Sequence, residues 1–399
     1  MQPLLITDYT YTSCLAAGRE NNWREIEAGN SKLKPCDFSD IKDLNTWIGE
    51  VSGLDTPLPQ ALSHYDCRNN RLAWLALQQD DFLTQAKKAV QRYGAHRVAV
   101  FVGTSTSGIH ETEKAYIEAH GQKSSELPDW YNYESTHSIF SPAGFTAFAT
   151  GAKGPISAIS TACSSSAKVF ASAQRAIACG LCDAAIVGGV DSLCLTTLYG
   201  FNALQLVSAN PCKPFDENRD GINIGEGAGF AILEKSDAAH LSNTNHPQLL
   251  GYGESSDAYH MSSPHPEGRG AFQAMSMALK KANISPQAID YINLHGTGTK
   301  ANDSAESAAV AKLFKETRQA SSTKGWTGHT LGAAGIIEIA ICLQALQHNL
   351  APKNKNLEQQ DPDSKIHLLK DNYSGPLQYA LSNSFGFGGS NCSLVVGVK

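Results

Sequence analysis

Three short stretches of this chain carry residue types suited to nucleophilic chemistry. The first is Ile159-Ser160-Thr161-Ala162-Cys163-Ser164-Ser165-Ser166-Ala167. An apolar run at 155–159 reads as a strand. It breaks at small residues and feeds an alanine-rich segment, 167–179, with Val169, Phe170, Ala173, Ala176 and Ile177 at helical spacing. Cys163 therefore stands at a strand-to-helix corner, where unpaired N–H groups and the positive end of the helix dipole favour thiolate. A buried, inert thiol is the alternative for any free cysteine. The second stretch, His295-Gly296-Thr297-Gly298-Thr299, ends a strand at 289–294. The third, Gly328-His329-Thr330-Leu331-Gly332-Ala333-Ala334-Gly335, opens a helix running through Leu346. Reactive groups of α/β folds gather outside strand ends. Two histidines in small-residue motifs, with a candidate thiolate, point to a cysteine–histidine active site.

The elements that must position these residues alternate. Strands are expected at 4–6, 98–102, 184–190, 229–233 and 248–253, with a final strand–glycine turn–strand unit across 379–398. One amphipathic helix is expected over 72–90, and others at 141–149, 270–282 and 303–314. Strands alternating with helices in both parts make the class α/β. Gly225, Gly227 and Gly229 imitate a nucleotide loop but lead into a strand, so that reading fails its own context. The polar stretch 236–247 divides the chain into 1–240, carrying Cys163, and 241–399, carrying His295 and His329.

The 399 residues are 42% hydrophobic, enough for a large core. A net charge of −6 argues against a general nucleic-acid binder. No segment is expected to span a bilayer. Met1 to Asp8 lacks the basic start of a signal peptide, so a cytoplasmic protein is expected. The ten cysteines lack framework spacing and read as reduced thiols. Cys179 and Cys182 imitate a redox pair but close a helix at Gly180 instead of opening one. No His/Cys cluster has zinc spacing, so no metal is expected.

The motifs resemble those of the β-ketoacyl-acyl-carrier-protein synthases, the type II elongating branch in particular. The matching residues are Thr161-Ala162-Cys163-Ser164-Ser165, Arg219-Asp220-Gly221 with Gly225-Glu226-Gly227-Ala228-Gly229, Ser256-Asp257-Ala258-Tyr259-His260-Met261, His295 to Thr299, Lys324 with Gly328 to Gly335, and Asn383-Ser384-Phe385-Gly386-Phe387-Gly388-Gly389-Ser390-Asn391. The resemblance implies the thiolase fold, two pseudo-duplicated α/β halves in α-β-α-β-α layers. It implies an acyltransferase that carries an acyl chain on Cys163 and condenses it with malonyl-carrier protein in fatty-acid or polyketide elongation. The assembly it implies is a homodimer, or a heterodimer with a related chain-length-factor subunit. No cofactor is bound; 4'-phosphopantetheine arrives on the acyl carrier protein.

Residue by residue, the resemblance gives His295 and His329 the thioester oxyanion, and the backbone N–H groups of Cys163 and Phe387 the acyl oxyanion. It gives Lys324 and Glu338 support of the site, with Glu306 as a partner carboxylate. Thr297 and Thr299 meet the pantetheine arm, Thr106 and Phe385 the acyl chain, and Phe387 gates the pocket. Arg68 and Arg71 are candidates for carrier docking. The opening Asp8-Tyr9-Thr10-Tyr11-Thr12-Ser13 and the pair Gly325-Trp326 depart from the usual pattern and suggest a specialised pathway of the aryl-polyene kind. A thiolase would need a second catalytic cysteine near the C-terminus, which Cys392 does not match. A non-catalytic chain-length-factor subunit would lack the nucleophile, and Cys163 is intact.

Overall fold

The computed structural model describes residues 1–398 except 42, 236–245 and 316–317. The expected division at 240/241 lies outside the described residues. Ten strands form one sheet: β1 (Leu4–Ser13), β2 (Val98–Gly103), β3 (Ile156–Ile159), β4 (Ala184–Asp191), β5 (Gly227–Lys235), β6 (Gln248–Ser256), β7 (Tyr291–Asn293), β8 (Gln319–Ser321), β9 (Tyr379–Gly386) and β10 (Ser390–Gly397). Their order is β3-β2-β4-β5-β1-β6-β10-β9-β7-β8. Read from its outer edge, each five-strand half follows the same order: third, second, fourth, fifth, first. Within the sheet, among the described residues, the two halves pair at Leu4↔Leu249 and Leu5↔Gln248. In one half β2 runs parallel to β3 and β4; in the other β7 runs parallel to β8 and β9.

Helices Ser165–Ala178 and Ala334–His348 lie between the half-sheets, each touching strands of both. Val169, Phe170, Ile336, Ile339 and Leu343 share one core there with Tyr11, Val187, Leu394 and Val396. Helices Arg68–Leu77, Phe82–Tyr93 and Ser141–Thr150 cover the outside of the first half, and Arg269–Ala282 with Lys300–Phe314 the outside of the second. Helix–sheet–helix–sheet–helix layering follows, as expected for the thiolase fold. The segment Leu331–His348 is long and apolar enough to cross a bilayer, contrary to expectation, but 89% of it is buried inside the protein. Its hydrophobic circumference reflects its place between two sheets.

The expected helix over 72–90 is two helices. Asp80 (φ 54°) and Asp81 (φ 59°) break it in the left-handed region. Asp80 is used there as a ligand for the chain start: its Oδ2 accepts Thr10 Oγ1 at 2.8 Å and Arg19 N–H at 2.9 Å. A periodic apolar pattern running through the turn hides the break.

The middle helices meet at their N-termini, which bear Cys163 and His329. A Cβ on Gly335 would lie 2.5 Å from Ala167 N. Gly335→Val should therefore destabilise the protein by about 2–3 kcal/mol through overpacking, read as a lower urea midpoint. An unchanged midpoint would show that the two helices separate freely.

Candidate active site

The corner before helix Ser165–Ala178 is sharp because Ala162 takes φ 52°. Ser165 secures it: its Oγ accepts Thr161 N–H at 2.9 Å and donates to Ala162 O at 2.6 Å. Cys163 sits on this corner, just beyond the end of β3. His329 follows β8 in the other half, and His295 follows β7. The C-terminal strand ends of the two halves thus converge. His329 Nε2 lies 3.2 Å from Cys163 Sγ, and the two imidazole rings stand edge to face at 5.4 Å. All three side chains are buried at the floor of a cavity of about 340 Å³.

Hydrogen bonds fix both tautomers. Leu331 N–H donates to His329 Nδ1 at 3.1 Å, so the ring proton is on Nε2, facing sulfur. Lys324 Nζ lies 3.2 Å from His295 Nδ1. An ammonium has only donors, so His295 too carries its proton on Nε2. Burial, followed by the Lys324 charge, holds both imidazoles well below the ordinary histidine value. Each is a neutral N–H donor at physiological pH. Lys324 Nζ also donates to His295 O and to Glu338 Oε1, both at 2.5 Å. Burial lifts Glu338 to about 6, with the Lys324 charge opposing. Glu306 does not touch Lys324. It accepts the N–H groups of His295 and Gly296, each at 2.8 Å, and Asn383 Nδ2 at 3.0 Å.

Burial pushes the Cys163 thiol up to about 11, against the pull of the Lys324 charge and of the backbone N–H groups of Phe387 and Cys163 itself. The expectation of a resting thiolate is thereby corrected: the sulfur is too deep for the helix terminus to prevail. The Sγ and the imidazole nitrogens lie within 4.8 Å of one another, a spacing that suits a metal. The chemistry of the donors points elsewhere. Lys324 and Leu331 N–H turn a proton, not a lone pair, of each ring towards the cavity.

A family model described as the β-ketoacyl synthase N-terminal domain matches residues 1–239, and one for the C-terminal domain matches 246–358. The chain belongs to the β-ketoacyl synthase family. It is 32% identical over 401 residues to the 3-oxoacyl-[acyl-carrier-protein] synthase 2 of Vibrio cholerae, spanning 94% of each chain. It is 40% identical over 257 residues to the enzyme of that name in Rhizobium meliloti, a match that spans 61% of each. Among solved structures, the ketosynthase ApeO in complex with its chain length factor ApeC from Xenorhabdus doucetiae aligns over 100% of this chain and 98% of that one, at 38% identity and TM-score 0.90.

Other residues of this synthase-family site fall as follows. Thr297 and Thr299 line the cavity, with their hydroxyls 2.8 Å apart. Phe385 lines it 5.9 Å from the His295 ring, and Phe387 lines it 5.6 Å from Phe201, which sequence reading missed. Gly386 permits close approach, since a Cβ would stand 2.9 Å from Thr161 O, whereas Gly388 supplies φ 77°. Thr106 is not on the cavity wall of this chain: it is buried, and its hydroxyl donates to Asp191 Oδ1 at 2.7 Å.

Arg68 and Arg71 form no free basic patch. Arg68 donates from Nε (2.9 Å) and Nη2 (2.6 Å) to Glu226, with its side chain 13% exposed and that of Glu226 wholly buried. Arg71 clasps Asp66 at 2.7 and 2.6 Å. A helix start rich in arginine looks solvated in sequence; here both guanidinium groups are spent on neighbouring carboxylates.

Two outcomes follow from these partners. Alkylation of Cys163 by a neutral reagent should quicken about tenfold per pH unit from 7 to 10, because a raised thiol pKa leaves thiolate scarce until the pH nears that value. A plateau below pH 8, mapped by peptide mass, would contradict a protonated resting thiol. Arg68→Ala should cost about 3 kcal/mol by stranding buried Glu226. A variant as stable as the parent but slower with carrier-bound substrate would restore Arg68 to docking.

Proposed function

We propose that this chain catalyses the decarboxylative Claisen condensation of malonyl-carrier protein with an acyl chain held on Cys163. The observation that carries the reading is the pair of neutral imidazoles, each with its Nε2–H fixed towards the cavity beside the thiol.

In the first half-reaction, the Cys163 sulfur adds to the thioester carbonyl of an acyl chain on the carrier's 4'-phosphopantetheine. The oxyanion is met by the N–H groups of Cys163 and Phe387. The carbon–sulfur bond to pantetheine then breaks, and the proton lost by Cys163 ends on the departing thiol. In the second, the carbon–carbon bond to the malonyl carboxylate breaks, CO₂ leaves, and the electron pair enters the thioester as an enolate. Its oxygen takes hydrogen bonds from His295 and His329, worth most in a site shielded from water. The enolate carbon attacks the acyl carbonyl, and the carbon–sulfur bond to Cys163 breaks. The 3-oxoacyl product stays on the carrier, and the thiolate regains a proton from solvent.

The thiolase-like halves 1–240 and 241–399 divide this labour, one bringing the nucleophile and the other the oxyanion donors. Thr297 and Thr299 guide the pantetheine arm. Phe385 meets the acyl chain, and Phe387 swings on the glycines beside it as the gate. Thr106 lies behind the wall, along the route an acyl chain takes towards a second subunit. That subunit is a related ketosynthase-fold chain. The ApeO–ApeC pair supports a chain-length-factor partner.

His295→Ala and His329→Ala should each slow CO₂ release from malonyl-carrier protein about a hundredfold or more, while acyl transfer to Cys163 falls far less. Enolate charge develops only in the second half-reaction. Undiminished CO₂ release from both variants would sink the assignment.

A further inference from the structure

The strand β4 reads Ala-Ala-Ile-Val-Gly-Gly-Val and then ends in Asp191, which is fully buried. A carboxylate is costly in such a place unless every lone pair is met. Asp191 is met generously. Its Oδ1 accepts Thr104 Oγ1 at 2.6 Å, Thr106 N–H at 2.9 Å and Thr106 Oγ1 at 2.7 Å. Its Oδ2 accepts Ser105 Oγ at 2.6 Å and Gly332 N–H at 2.6 Å, and Ser105 N–H is shared between both oxygens at 3.0 Å.

The donors come from two places. Thr104 to Thr106 follow β2 in the same half; Gly332 belongs to the histidine motif of the other half. The Gly332 contact is close: a Cβ there would stand 2.6 Å from Asp191 Oδ2. One residue earlier, Leu331 is held at φ 51°, a conformation that side-chain-bearing residues rarely adopt. That conformation turns the Gly332 N–H out towards Asp191 Oδ2, while the Leu331 N–H stays on His329 Nδ1.

We propose that Asp191 is a positioning residue whose carboxylate holds the Leu331-Gly332 turn, and through it keeps the His329 Nε2–H directed at Cys163. It touches neither substrate nor sulfur. The consequence for catalysis rests on the donor role given to His329 above. The carboxylate has a second, opposite effect: its negative charge raises the thiol pKa. Loss of that charge should therefore damage one function of the site while easing another, which general loosening of the fold would not do.

The test is Asp191→Asn. An amide places a donor against N–H and O–H donors, so the turn loses an anchor. Long-range ¹H–¹⁵N spectra of histidine-labelled protein, with the signal assigned by His329→Gln, should show His329 leaving its single Nε2–H tautomer. Condensation kcat should fall about tenfold to a hundredfold, with KM for malonyl-carrier protein nearly unchanged. Alkylation of Cys163 at pH 8 should become faster. If the variant does not fold, Ser105→Ala serves instead. It removes the hydroxyl that donates to Oδ2 and accepts Gly332 N–H at 3.1 Å, and should move the tautomer and kcat the same way by less, while alkylation, with the carboxylate charge still in place, should not quicken. An unaltered tautomer in a folded variant overturns the proposal. Because the tautomer is read without substrate, it judges Asp191 even if His329→Ala proves that imidazole dispensable.

Discussion

The active centre depends on one buried cation. The Lys324 ammonium has three protons and three acceptors: Glu338 Oε1, His295 O and His295 Nδ1. A charge removed from water is tolerable only when paired and fully hydrogen-bonded, and this one is. Its place also decides the state of everything around it. It selects the His295 tautomer by leaving Nδ1 nothing but an acceptor role. After burial, its charge is the next cause holding both imidazoles down, and it draws the Cys163 thiol downward against burial. Arginine would not substitute, because a planar fork cannot direct protons to three acceptors arranged around a point.

That cation can reach all of its clients because the fold is doubled. Each half offers the carboxyl ends of three parallel strands, and the two sets open onto the same cavity. Cys163 follows the third strand of one half and His329 follows the third strand of the other. The arrangement works only if the helices behind these corners sit close together, hence the bare backbone of Gly335 against Ala167. Carboxylates then tie the corners down from behind. Glu306 takes the amides under His295, and Asp191 takes the amide beyond His329. The donors facing substrate are therefore oriented by acceptors that substrate never meets.

Local pattern made the α/β class and the reactive triad legible. Cys163, His295 and His329 are each framed by small residues that admit a substrate and bend the chain. Other features depended on distance in space. Nothing in the arginine-bearing helix start announces that Glu226, far along the chain, lies beneath Arg68. The break at Asp80 is invisible because the apolar spacing continues across it, and the aspartate is needed by a segment seventy residues earlier. Burial reverses the inference about Cys163, since a sequence shows a helix terminus but not the depth of the sulfur. Asp191 did leave a trace, as the single charged residue closing an otherwise apolar strand at the end where α/β sites form.

Neutrality is the common property of Cys163, His295 and His329. An imidazolium would be the stronger donor in isolation, but it would bind the malonyl carboxylate as readily as the enolate that replaces it. Attraction to the ground-state anion would hold back the loss of CO₂. A neutral N–H donor has less to offer a full carboxylate, and can be aimed at the thioester oxygen where charge appears. The same economy applies to the thiol. The sulfur must lose its proton to attack, since the thiolate is the nucleophile; once acylated it carries no charge, and both Nε2–H donors are left for the enolate. Lys324 and Asp191, of opposite sign, act on that thiol in opposite directions, the cation drawing its pKa down and the carboxylate pushing it up.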